Sequence, residues 1–132
     1  MQSHHRIVLH IDDDEDDREL VKNAIESKDK TVIVRQVDNG KAGISFLKQA
    51  KEFSDLPCLI VLDLNMPGID GREVLKEIKK DGKLASIPLV IFTTSSSEMD
   101  RMFAKKEGVE IITKPPTLNH FSKVVDKLLS YC

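Results

Sequence analysis

The chain has 132 residues, 40% of them hydrophobic and 32% charged, and a net charge of −2. That is long enough to bury one substantial core and too short to make a second domain expected, so residues 1–132 read as a single domain. With 5% aromatics, no Trp and no excess of positive charge, neither a nucleic-acid surface nor a base-stacking platform is indicated. No apolar run approaches the ~18 residues of a membrane span and no signal-type apolar region follows the N-terminus, so no membrane association and a cytoplasmic location are expected.

The run Ile7 to Ile11 is short and nearly continuously apolar, as in a strand buried on both faces of a parallel sheet, and it stops abruptly at Asp12 and Asp13. His10 lies inside it and reads as a core histidine satisfied by its surroundings. Leu20, Val21, Ala24 and Ile25 share one face at helical spacing. The acids ahead of them, Asp14, Glu15, Asp16 and Asp17, read as solvated partners of that helix's dipole. Thr31 to Val34 predicts a second strand, Asp38-Asn39-Gly40 a turn, and Ile44 with Leu47 the buried stripe of a second helix.

Cys58 to Leu62 predicts the third strand, ending on Asp63. After a Pro67/Gly68 turn, Val74, Leu75 and Ile78 mark a third helix closed by Asp81-Gly82. Ile87 to Phe92 reads as a fourth strand with Pro88 at its entry, where a missing donor is tolerated, running into Thr93-Thr94-Ser95-Ser96-Ser97. Met99, Met102 and Phe103 predict a fourth helix with the methionines in packing roles, ended near Gly108. Val109 to Thr113 follows as a fifth strand leading into Lys114-Pro115-Pro116. Phe121, Val124, Val125, Leu128 and Leu129 fall at the spacing of an amphipathic fifth helix.

Strands alternating with helices imply an α/β doubly wound parallel sheet with helices on both faces. In such sheets ligands bind outside the carboxyl ends of the strands. There the chain delivers Asp12 and Asp13, Asp63, Thr93 or Thr94, and Lys114. Clustered carboxylates repel unless a cation offsets them, and an all-oxygen donor set without His or Cys favours Mg²⁺ with room for a phosphoryl oxygen. Lys114 can neutralise phosphoryl charge, with a threonine hydroxyl donating to it. His4 and His5 read as a solvated tail. Cys58 and Cys132 lie far apart without CxxC spacing, so two free thiols are expected.

In this order and spacing, Asp12-Asp13, Asp63 within Asp-Leu-Asn-Met-Pro-Gly-Ile-Asp-Gly, Thr93 and Lys114-Pro115 resemble the receiver domain of two-component response regulators, across essentially the whole chain. The stretch Phe92-Thr93-Thr94-Ser95-Ser96 is similar to stand-alone receivers of the chemotaxis-regulator and phytochrome-associated kinds. The resemblance implies a flavodoxin-like sheet of five strands in order 2-1-3-4-5 with five helices and no output domain.

It further implies that Asp63 accepts a phosphoryl group from a sensor histidine kinase or phosphotransfer protein. Asp13, Asp63 and the Asn65 carbonyl would ligate Mg²⁺, with Asp12 acting through water. Thr93 and Lys114 would contact the phosphoryl group, Thr94 taking the family's small-residue position. The Lys114-Pro115 peptide is cis in many relatives, and Ile111 stands near the place of an aromatic switch residue. Asn65 and Ser95 occupy positions that influence dephosphorylation, and neither supplies a strong base, so slow self-dephosphorylation is expected rather than enzymatic turnover. Output would pass by contact with an unknown downstream protein, from a monomer or a weak phosphorylation-dependent dimer. Two other functions stay in view. A Mg²⁺-dependent aspartyl phosphohydrolase would want a carboxylate where Asn65 stands, and a constitutive binding module would leave the acidic site unused.

Overall fold

A computed structural model describes residues 6–66, 68, 70–94, 97–115 and 118–132. The expectations for His4, His5, Pro67, Ser95, Ser96 and Pro116 lie outside the described residues. Five strands, β1 (Arg6–Ile11), β2 (Val32–Val37), β3 (Leu59–Leu62), β4 (Leu89–Thr93) and β5 (Glu110–Thr113), alternate with five helices, α1 (Glu15–Lys28), α2 (Gly40–Lys48), α3 (Gly71–Lys80), α4 (Glu98–Glu107) and α5 (Leu118–Leu129). The strands pair in parallel in the order β2-β1-β3-β4-β5, as expected for a doubly wound sheet.

Alternation along the strands sorts the core into two layers. Leu9, Ile11, Ile60, Leu62 and Ile91 pack with Leu47, Val74, Leu75 and Ala104 of α2, α3 and α4. Val8, Val34, Val61, Val90 and Phe92 pack with Val21 and Ile25 of α1 and with Phe121, Val125 and Leu128 of α5. The all-apolar β3, buried at every position, contributes to both layers. Its carboxyl end therefore arrives at the edge of the sheet on a rigid support.

The helix starts are set by side-chain caps. Asp14 accepts from the Asp17 N–H, Asn39 from the Ala42 N–H, and Asp70 from the Arg72 N–H. Ser97 and Asp100 form a reciprocal capping box at α4. Asn39 and Gly40, read as turn residues, are thus the cap and first residue of α2. Gly108 ends α4 in the left-handed region, at φ 70°.

Two readings of side chains are corrected. Met99 and Met102 do not pack: they are 79% and 63% exposed, because the buried face of α4 is carried by Asp100 and Ala104. Cys58 and Cys132 are not free thiols but a disulfide. Cys58 directly precedes β3, its N–H bonded to the Ile7 carbonyl, and α5 returns the chain to that same amino edge, where the Arg6 guanidinium also holds the Cys132 carbonyl at 2.7 Å. A pairing across 74 positions of sequence has no local signature.

A crosslink closing so long a loop restricts the unfolded chain by roughly 4 kcal/mol. Cys132→Ser is accordingly expected to lower the melting temperature by on the order of 10 °C relative to the oxidised wild type. A strong reductant should bring the wild type to the variant's value. Indistinguishable melting curves for oxidised and reduced wild type would refute this.

Candidate functional site

The carboxyl edge of the sheet gathers the residues that the strand ends supply. Asp12 follows β1 and is fully buried, and Asp63 follows β3 with 5% exposure. Asp13, next to Asp12, is exposed. Among the described residues, ligand oxygens of Asp12, Asp13 and Asp63 lie within 4.8 Å of one another, a group that could hold a metal ion. The donors are all hard carboxylate oxygens, which suits a small divalent cation with room left for water. Asn65 is exposed. Its N–H reaches Asp63 Oδ1 at 3.3 Å, and its side-chain amide reaches the Thr93 hydroxyl at 3.4 Å.

Thr93 proves to be the last residue of β4 and is completely buried, while Thr94 is exposed. Of the two hydroxyls, Thr93 is therefore the one on the rigid strand and tied to the Asp63 loop through Asn65. Lys114, just beyond β5, donates its backbone N–H to the Thr93 carbonyl at 2.7 Å. Its ammonium lies 2.7 Å from Asp12 Oδ2, 3.4 Å from Asp63 Oδ2 and 5.7 Å from the centre of the Phe92 ring. The Lys114–Pro115 peptide is not cis here, and the lysine still enters the site. Its direction comes from pairing to β4 and from the carboxylates that attract it.

Charge and burial oppose each other across this edge. Burial pushes the Asp63 carboxyl above the ordinary aspartate range. Lys114 pulls it down, and the Asp12 charge pushes it up again. Asp12 also suffers desolvation, yet its contacts with His10 and Lys114 and the hydrogen bond from the Asp14 N–H outweigh it and bring the group down to about 2. For Lys114, burial favours loss of the proton, but its carboxylate partners more than reverse that and raise its pKa. The result is one stably anionic carboxylate, one stably cationic ammonium, and between them Asp63, the group least comfortable with its charge.

Two contributions were missed in the sequence. Asp17 was read as a solvated acid, but its Oδ2 holds Lys114 at 2.7 Å as closely as Asp12 does. The signal for it is positional. As the third residue after the Asp14 cap, it sits on the first turn of α1 directly above the sheet edge. His10 was read as satisfied, and only one of its ring nitrogens is. Nδ1 lies 3.1 Å from the Gln36 amide nitrogen, whereas Nε2 is buried without a hydrogen-bond partner among the described residues, 3.4 Å from Asp12 Oδ2.

The surroundings of Ile111 are aliphatic and aromatic. Half-buried on β5, it joins the layer that includes Phe103 of α4. The polar tie to α4 comes from elsewhere: Arg72, at the start of α3, pairs with buried Asp100 and lies 5.9 Å from the Phe103 ring centre.

An acidic group at the switch edge of a 2-1-3-4-5 sheet, backed by a threonine and a lysine on the next two strands, defines a class of signalling domain, and the comparisons agree. The family profile of the response regulator receiver domain matches residues 8–126. Response regulator Rcp1 of Synechocystis sp. (strain ATCC 27184 / PCC 6803 / Kazusa) is 36% identical over 131 residues, covering 96% of this chain and 88% of that protein. A probable methanogenesis regulatory protein, FilR2 of Methanothrix harundinacea (strain 6Ac), is 31% identical over 95% of this chain and 82% of its own length. The phosphorylated cyanobacterial phytochrome response regulator RcpA superposes with a TM-score of 0.85 at 33% identity, covering 97% of this chain and 96% of the other. The Mn²⁺-bound form of Rcp1 gives 0.82 at 34% identity, over 95% and 92%. The chain belongs to the response regulator receiver domain family.

Proposed function

We propose that this protein accepts a phosphoryl group on Asp63 from a sensor histidine kinase or a phosphotransfer protein and passes the signal on by protein–protein contact. The observation that carries the reading is the Lys114 ammonium, held 2.7 Å from Asp12 and 3.4 Å from Asp63 at the edge where three carboxylates converge. A cation facing a buried, reluctantly charged carboxylate is what an incoming phosphoryl group needs on its far side.

In this reading an Asp63 carboxylate oxygen attacks phosphorus in line as the bond to the donor's imidazole nitrogen breaks, and the leaving imidazole keeps the electron pair and takes up a proton. Asp13 and Asp63, with the Asn65 carbonyl, would hold Mg²⁺ directly and Asp12 through water. The ion would offset charge on the transferring oxygens. Mn²⁺ in the related Rcp1 and the phosphorylated state of RcpA support both parts of the assignment. Lys114 turns from Asp12 and Asp17 toward the phosphoryl oxygens, and the Thr93 hydroxyl donates to another. Asn65, two residues past the acceptor, is an amide engaged with Thr93 and no base, so turnover is slow and the protein is a phosphoacceptor rather than a hydrolase.

Exposed Met99 and Met102 on α4 support an output through protein contact, by a monomer or a weak phosphorylation-dependent dimer. No helix among the described residues is long and apolar enough to cross a membrane. Action in the cytoplasm belongs to the same reading, and there the Cys58–Cys132 bond would meet reducing conditions.

The test is to incubate the protein with acetyl phosphate and Mg²⁺ and follow its intact mass. One added phosphoryl group, mapped to the peptide carrying Asp63 and persisting for many minutes, is expected. An unchanged mass for folded protein at saturating Mg²⁺ would overturn the proposal.

A further inference from the structure

The Asp12 carboxylate has a partner no strand-end motif accounts for. His10 lies fully buried on β1 opposite Gln36 of β2, in the layer that faces α1 and α5. The Gln36 side-chain nitrogen is shared between His10 Nδ1 at 3.1 Å and the Arg18 carbonyl at 2.6 Å. An amide NH₂ only donates, so both contacts require acceptors and Nδ1 carries no proton. The ring proton then sits on Nε2, the atom that points at Asp12 Oδ2 from 3.4 Å and has no closer partner among the described residues. Arg18 holds the backbone of the same residue, donating to the Asp12 main-chain carbonyl at 2.9 Å.

We infer that His10, with its tautomer set by Gln36, is a positioning residue that holds the Asp12 carboxylate for the metal site. The need arises from Lys114. Lysine is the closest donor to Asp12 Oδ2 in this state, and in the function proposed above, on which this inference rests, it must swing to the phosphoryl group. A donor on a flexible stem leaves; a ring clamped between two strands does not. Once Lys114 departs, Nε2–H remains within reach of Asp12, keeping the oxygen oriented. This is the relation that outer histidine and carboxylate partners bear to metal ligands generally. An apolar residue at position 10 would suit a strand buried on both faces, so packing alone gives no reason for an imidazole there.

Two measurements test it. In the metal-free protein, ¹⁵N-detected correlation of the His10 ring should show the Nε2–H tautomer, and Gln36→Leu should abolish that preference. Mg²⁺ binding, followed by calorimetry without any phosphodonor, should weaken on the order of tenfold in His10→Leu and in Gln36→Leu. The double variant should be no worse than either single one, because both act through the same Nε2–H contact with Asp12. An Nδ1–H tautomer in the wild type, wild-type Mg²⁺ affinity in folded His10→Leu, or additive losses in the double variant would each overturn the inference. Gln36, half-buried on an edge strand, keeps the test available should the His10 variant fail to fold. If wild-type protein binds Mg²⁺ but takes up no phosphoryl group, the proposed function fails while this relay stands.

Discussion

Asp63→Asn is expected to abolish phosphoryl uptake and at the same time to make the metal-free protein more stable, by on the order of 1 kcal/mol. The first effect follows because an amide nitrogen or oxygen at this place cannot form the acyl phosphate. The second follows from the balance of charges. Removing one member of a buried ion pair usually destabilises by stranding the other. Lys114 is not stranded here, since Asp12 and Asp17 each hold it at 2.7 Å while Asp63 stands farther off at 3.4 Å. The Asn65 N–H contact survives with Asn Oδ1 as acceptor. What disappears is a carboxylate whose ionised form is disfavoured by burial and by its Asp12 neighbour.

The sign with pH is set by the same shift. Because folding raises the Asp63 pKa, the folded state takes up that proton more readily than the unfolded chain. The cost of the charge is fully present above the folded pKa and is relieved as pH falls. The stability gap between variant and wild type should therefore be widest near neutral pH and shrink in acid. Urea unfolding of both proteins in chelator across that range checks it, and a variant less stable than wild type at pH 7 would refute the account.

Gly71→Ala is expected to cost roughly 3 kcal/mol and to lose most phosphoryl uptake with it. A Cβ at this position would lie 2.3 Å from the Asp63 carbonyl oxygen and 2.6 Å from Leu64 Cα, both backbone atoms that no rotamer change can move aside. The Gly71 N–H also bonds the Leu64 carbonyl at 3.0 Å, so the start of α3 is pressed directly against the acceptor's own peptide. Relief has to come from shifting Asp63. Two other glycines calibrate the claim. At Gly43 the closest atom would be the end of the Ile11 side chain at 2.5 Å, which can give, and at Gly82 there is open space. Gly43→Ala should cost about 1 kcal/mol and Gly82→Ala almost nothing. Equal unfolding midpoints for the Gly71 and Gly82 variants would show that the close approach is not constraining.

Much of the site was legible because its placement follows from topology. In β1, β3 and β4 the apolar runs are strands buried on both faces, and a residue that ends such a strand in a doubly wound sheet must emerge at the ligand-binding edge. Asp12, Asp63, Lys114 and one threonine of the Thr93-Thr94 pair could be assigned that edge from order alone. The choice between Thr93 and Thr94 could not, since it depends on where β4 stops. The strand continues through Thr93, paired to Thr113, and leaves Thr94 in solvent.

Periodicity is a local property, and so are caps and turns, so the sequence by itself determined the element types, the two-layered core and the chemistry offered at each strand end. Partnerships between distant residues are not local, and the tertiary structure alone decided them. Asp17 reaches Lys114 because α1 starts above the sheet edge. His10 meets Gln36 because β1 and β2 pair in one register, and a shift of one residue would turn the imidazole away. Cys58 meets Cys132 because α5 ends at the amino edge where β3 begins. Met99 and Met102 are exposed because α4 presents Asp100 and Ala104 to the core instead, a rotation about the helix axis that packing sets and composition does not. The carboxylate at the end of β3 was readable from one stretch of sequence, but the Lys114 and Asp12 charges that shift its titration meet it only in the folded chain.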